Sequence, residues 1–116
     1  MEPDGKWGIR IEELQVGKDL MIIVTGGAAH IGSVSTAYAS DETKGIAVQT
    51  MGLPGHRERD LTAEMAGKAA AVLDKTVTIV AGIHYDGIDR RQIADVVSET
   101  HAAFEKYLMK KVSERE

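Results

Sequence analysis

The chain has 116 residues, no cysteine and a formal net charge of −4, which implies one domain with neither disulfides nor thiolate metal sites. The charge is mild and no basic run or basic stripe interleaved with aromatics occurs, so nucleic acid is not expected as a partner. The longest apolar run, residues 20–24, is far too short to span a bilayer. The opening MEPDGKWG lacks the charged and apolar regions of a secretory signal. With no cysteine to protect, a cytoplasmic location is the expectation. A chain of this size buries roughly 65% of its unfolded surface. With one Phe, one Trp and three Tyr, the core must be built from Ile, Val, Leu, Met and Ala, and so few large side chains hint at further burial against a second copy.

Taken in order, Trp7, Ile9 and Ile11 alternate with Gly8, Arg10 and Glu12, the period of a half-buried strand. Gly17-Lys18-Asp19 is a turn. Residues 20–24 (LMIIV) are continuously apolar, which predicts a strand covered on both faces, and Gly26-Gly27 ends it. A third strand is expected over 31–39, with Val34, Thr36 and Tyr38. The polar segment 41–45 turns it into a fourth over 46–51. Gly52-Leu53-Pro54-Gly55 stops regular structure.

Helical spacing follows. Leu61, Met65, Ala69, Val72 and Leu73 form one apolar stripe, with Asp60 or an acidic neighbour at its start. Val77, Ile79, Ala81 and Ile83 restore strand period. Asp89 and Gln92 are spaced as a capping box, and Ile93, Val97, Phe104 and Leu108 mark a second helix, with Val96 and Val112 at the margins of the stripe. Lys106, Lys110 and Lys111 lie in its last turns, where cations suit the dipole.

The element order is therefore β-β-β-β-α-β-α. It predicts a single two-layer α+β domain over 1–116, with a mixed, mostly antiparallel five-stranded sheet and two helices packed on one face. The first four strands read as an antiparallel meander. The fourth strand, first helix and fifth strand read as a β-α-β unit, parallel and right-handed.

Three of the four histidines sit where strand signals break: His30 in GGAAHIG, His56 in GLPGHRER and His84 in GIHYDGI. If the fourth and fifth strands are parallel, their C-terminal ends share one edge of the sheet. The third strand, antiparallel to the fourth, begins at that edge. His30, His56 and His84 then converge where open α/β sheets commonly hold ligands. Both helix starts face the same edge, and their unpaired N–H groups favour anions. Arg57 and Arg59 add charge-assisted contacts, and Asp86 adds a carboxylate.

Each feature also has a plain structural reading. A lone turn histidine is more often a surface or hydrogen-bonded residue, the glycines serve turn dihedrals, and the arginines are solvated at a helix start. His101, between Val97 and Phe104, reads as packed or interfacial. A divalent metal held by His30, His56, His84 and Asp86 is a lesser alternative, because no local HxH or HxxxH pair exists. Ser33 and Ser35 lie near His30, but without a nucleophile-elbow motif catalysis is disfavoured. The absence of GxGxxG and GxxxxGK[ST] excludes standard dinucleotide and P-loop sites.

The segments HIGSVSTAYA (30–39), LPGHRERDL (53–61) and VAGIHYDGIDRRQI (80–93) resemble the small LpdD-like proteins, the prenylated-flavin chaperones associated with UbiD-type decarboxylases. Their fold is similar to that of proteasome assembly chaperones. The resemblance runs over most of the chain, and GIHYDGI before a helix start is its most specific part. It implies a non-catalytic homodimer that binds prenylated FMN or FMN and helps deliver it to a decarboxylase subunit. His30, His56, His84, Tyr85 and Asp86 occupy the family-like positions. Arg57 and the helix starts suit the phosphate, and Tyr85 and Tyr38 are candidates for a ring wall. Gly87 stands where some relatives carry Asn. Two other readings stay open: a protein-assembly module with structural histidines, and a metal-dependent hydrolase.

Overall fold

A computed structural model of the chain describes residues 5–42, 44–54 and 59–115, with side chains to 114. The elements are β1 (Arg10–Val16), β2 (Asp19–Gly27), β3 (Ser33–Ser40), β4 (Gly45–Gly52), α1 (Arg59–Leu73), β5 (Val77–His84) and α2 (Arg90–Arg115). This is the expected α+β domain, a mixed five-stranded sheet carrying two helices on one face. The strand order is β1-β2-β5-β3-β4. β5 runs parallel to β2 and antiparallel to β3, and the β1–β2 and β3–β4 pairs are antiparallel.

The expected meander is therefore broken, because β5 lies between β2 and β3. Its sequence VTIVAGIH buries Val77, Ile79 and Ala81 completely, so the central position removes the most apolar surface from water. Turn signals locate the ends of strands but not their neighbours, and the five residues 28–32 are long enough to step across one strand. β4 and β5 still run the same way, with β3 between them.

β1 starts and ends later than the alternation of residues 7–12 implies. Gly8 has a positive φ of 66°, so the chain turns there before pairing begins. The strand continues through Glu13 because that residue faces the helices with partners. Tyr107 Oη donates to its Oε1 at 2.9 Å and Lys111 Nζ to its Oε2 at 2.9 Å. Burial by itself raises the Glu13 carboxyl, but the Lys111 and Tyr107 hydrogen bonds and the Lys111 charge outweigh it and hold the group below the usual carboxylate range. Burial, together with the Glu13 hydrogen bond and charge, pushes the Tyr107 phenol up.

The core lies between sheet and helices and centres on Ile11, Leu20, Ile22, Val24, Met65, Val77, Ile79 and Phe104, each at most 2% exposed. Removing a side chain of this kind from water contributes roughly 1.5–3 kcal/mol. Both helices are rotated from their sequence stripes. α1 buries Thr62, Met65, Ala66, Ala69, Ala70 and Leu73, and Val72 turns outward at 40% exposure. α2 buries Val96, Thr100, Phe104, Tyr107 and Leu108, leaving Ile93 and Val97 exposed. Small side chains decide the α1 face: three alanines let the helix approach the sheet closely, where larger residues would hold it off. The approach brings Thr62 Oγ1 within 2.6 Å of Ser33 Oγ and 2.8 Å of Ser35 Oγ, and Ser35 Oγ also lies 2.7 Å from Thr50 Oγ1.

The opposite face of the sheet carries no helix among the described residues. Strand parity places Arg10, Glu12 and Leu14 of β1, Met21, Ile23 and Thr25 of β2, Thr78 and Val80 of β5, Val34, Thr36 and Tyr38 of β3, and Gln49 and Met51 of β4 on it. Thr36 and Thr78 share a hydrogen bond across this face at 2.8 Å, and Gln49 donates to Tyr38 Oη at 2.8 Å. Among the described residues, helices thus cover residues 20–24 on one side only, where cover on both was expected.

Candidate functional site

The connection from β2 to β3 builds the site. Residues 28–32 cross the end of β5 on the helix-free side and are tied down at both ends. Ala28 N donates to His84 O and Gly32 N to Ala81 O, both at 2.9 Å, and Leu53 N donates to Gly32 O at 2.9 Å. The crossing presses the His30 backbone onto Gly82: a Cβ there would lie 1.6 Å from the His30 carbonyl oxygen. Gly27 turns the chain into the crossing with a φ of 64°, and a Cβ on it would lie 2.1 Å from the His84 carbonyl. Both glycines are therefore dictated by the close passage of backbone over backbone.

The crossing brings His30 and His84 together, as the edge argument expects. Their ring centroids are 6.3 Å apart, with planes at 68°. His84 Nε2 lies 2.8 Å from Asp86 Oδ1. An ionised carboxylate only accepts, so within this pair Nε2 carries the hydrogen and Nδ1 takes no part in it. The pair is open to water, with side chains 51% and 94% exposed, so it contributes little to stability. Its effect is to orient the ring.

Tyr85 points the other way, to the helix side. Its ring meets Trp7 edge-on at 5.0 Å and 64°, and its hydroxyl donates to the Trp7 carbonyl. Burial and then the charge of Glu99 raise the phenol above its ordinary value. Glu99 clasps the N-terminal segment to α2, its Oε1 accepting from Trp7 N at 3.0 Å and its Oε2 from Ile9 N at 3.4 Å. In the sequence Trp7 reads only as a strand residue. Its being the single tryptophan in a chain poor in aromatics is a signal, but nothing local links it to Tyr85, 78 residues away.

His56 and Arg57 lie outside the described residues. Arg59 opens α1, with its stem over Gly52. The start of α2 departs from the free anion site expected of it. Asp89 N donates to Gln92 Oε1 at 3.0 Å and Gln92 N to Asp89 Oδ1 at 2.9 Å. This reciprocal box puts a carboxylate where an anion would sit and satisfies two backbone donors. Ser33 and Ser35 are buried and bonded to Thr62 on the helix side. Among the described residues, no group of three or more His, Cys, Asp or Glu is arranged to hold a metal ion, and no helix is long and apolar enough to cross a membrane.

Tyr38 is four residues along β3 from Val34, about 13 Å at strand rise, so it stands away from the histidine edge. It lines a groove of about 340 Å³ on the helix-free face, with Val34, Thr36, Gln49, Thr50 and Met51. That volume is at the lower end of the small-molecule range, roughly 300–1,000 Å³. Val34 lies one residue past Ser33, where β3 leaves the crossing, so the groove runs toward the histidine pair.

Crossing loop, paired histidines and groove thus lie on the helix-free side of the sheet. The prenylated flavin chaperone LpdD-like domain matches residues 3–112, and the chain belongs to that family. It is 36% identical over 80 residues to Protein LpdD of Lactiplantibacillus plantarum (strain ATCC BAA-793 / NCIMB 8826 / WCFS1). The match covers 68% of this chain and 59% of that relative, so the chain spans less than two thirds of its length.

Proposed function

We propose that this protein is a non-catalytic carrier of prenylated FMN, or of FMN, which serves a UbiD-type decarboxylase in the cytoplasm. The observation that supports this reading best is the His30–His84–Asp86 group at the head of an apolar groove. A flavin nucleotide is a flat ring system joined to a phosphate, and the surface offers the matching sequence of a groove with an edge of oriented imidazoles. Val34, Thr36, Tyr38 and Met51 would take the ring. His30 and the Nδ1 of His84 would take the phosphate end, with Arg57 as the cationic partner expected from the sequence. Asp86 holds His84 in place. When bound, the flavin itself supplies the redox and electrophilic chemistry, which is used on the decarboxylase.

Titration of the purified protein with FMN, followed by flavin fluorescence, tests the assignment. His84→Ala is expected to weaken binding by about tenfold, equivalent to about 1.4 kcal/mol. Asp86→Asn should weaken it less, because the ring stays in place while its orientation relaxes. Equal affinities of the wild type and His84→Ala would remove the site from the histidine edge. Mass spectrometry of ligand extracted from protein made in its native host would identify the bound flavin.

A further inference from the structure

The two edges of the sheet are finished differently. An edge strand leaves a row of unpaired N–H and C=O groups that invites another strand, and proteins commonly blunt it with charge, proline or a bulge. β1 carries Arg10, Glu12 and Glu13. β4, with the sequence GIAVQTMG, has no charged residue and no proline, and it pairs with β3 without a bulge over eight successive residues. Leu53 N donates to Gly32 O, which continues the β3–β4 register and fixes the phase of the ladder. Ala47, Gln49 and Met51 therefore turn their N–H and C=O groups to β3, and Ile46, Val48 and Thr50 turn theirs outward. Among the described residues no strand pairs with that outer row. The side chains beside it leave room for one. Ile46 and Val48 face the helices yet stay 37% and 39% exposed, because α1 meets β4 through a glycine: a Cβ on Gly67 would lie 3.5 Å from Val48 Cγ2. Ala63 and Ala71 lie four residues to either side of Gly67, so this flank of α1 is shallow. Exposed Asp60 and Glu64, seven and three residues before Gly67, stand on the same flank by helical spacing.

We infer that β4 is a docking edge, which takes an extended, lysine- or arginine-bearing segment of a partner protein as a further strand. Main-chain hydrogen bonds at Ile46, Val48 and Thr50 supply the affinity, and alternate side chains of the segment supply the specificity. On the helix side those side chains lie over Gly67 and its flanking alanines, within reach of Asp60 and Glu64, and this favours cations at alternate positions. The same carboxylates disfavour a second copy at this edge. Two β4 strands joined about a two-fold axis would set the acidic flank of one α1 against that of the other. The edge borders the groove of the helix-free face through Gln49 and Met51, so the added strand stands beside any molecule held there. The docking edge itself does not rest on the flavin reading.

The probe is a fluorescein-labelled heptapeptide of alternating lysine and valine, titrated with the full chain in the absence of flavin. Its anisotropy should saturate with a Kd below about 1 mM, and a counterpart of alternating glutamate and valine should bind at least about tenfold more weakly. Amide hydrogen exchange locates the contact. In the free chain the Val48 and Thr50 N–H groups should exchange faster than those of Ala47 and Gln49, and saturating peptide should slow them at least about tenfold. Val48→Pro removes one outward donor and no bond to β3, so the variant should keep its fold and lose at least about tenfold in affinity. If it does not fold, the exchange measurement on the wild type decides the matter. No binding up to about 1 mM, equal affinity for the two peptides, or binding that leaves exchange at Val48 and Thr50 unchanged overturns the proposal. Protection of these two amides that rises with protein concentration when no peptide is present overturns it as well, because a second copy would then fill the edge. A chain that takes the peptide but does not bind FMN would count against the carrier reading alone.

Discussion

Gly82→Ala should be among the most damaging single-methyl additions in this chain. The new Cβ would stand 1.6 Å from the His30 carbonyl oxygen, against an ordinary contact of 3.4–4 Å, so the crossing loop must retreat by about 1.8 Å. The retreat would strain three backbone bonds that anchor the loop: Ala28 N to His84 O, Gly32 N to Ala81 O and Leu53 N to Gly32 O, each 2.9 Å long. At about 1 kcal/mol net for each, the expected loss is about 2–4 kcal/mol. For a chain of this length that is a fall in Tm of roughly 10–15 °C, measurable by circular dichroism. FMN affinity should fall too, since His30 leaves its place beside His84. Gly45→Ala is the control, because a Cβ there meets nothing within 4 Å and should change stability by less than about 0.5 kcal/mol. If Gly82→Ala melts within a degree or two of the wild type, the crossing does not rest on β5 in this way.

Glu13 makes stability depend on acid. Its folded pKa is held below the 4.5 of the free group, so its contribution is complete above that value and is lost as pH falls through the folded pKa. Urea midpoints measured at falling pH should therefore drop more steeply for the wild type than for Glu13→Gln; parallel profiles would refute the pairing with Lys111 and Tyr107. Glu99→Ala should release the N-terminal segment, costing about 1–2 kcal/mol for the backbone donors it leaves unpaired. The single tryptophan should then emit to the red, whereas an unchanged spectrum would show that Trp7 is held by Tyr85 alone.

Much of this protein is legible in the chain order of its residues. Period-2 and period-3.6 patterns place seven elements of the correct type, because side-chain burial repeats with the geometry of strand and helix. The Asp89–Gln92 box is readable because capping is local, closed within four residues. The convergence of His30 and His84 is legible for a similar reason: strand directions alone decide which ends share an edge, and those directions hold even though the neighbours change. What the folded chain alone decides depends on partners distant in sequence. The insertion of β5 between β2 and β3 follows from competition among strands for the central position. The rotation of α1 follows from how closely three alanines let it approach Ser33 and Ser35. Glu13 points inward only because Tyr107 and Lys111, more than ninety residues away, offer donors to it. Gly82 is the clearest case. As a sequence letter it is one more glycine in a turn-rich segment, and only the passage of the His30 backbone across β5 gives it its purpose, since no side chain fits between two main chains in contact.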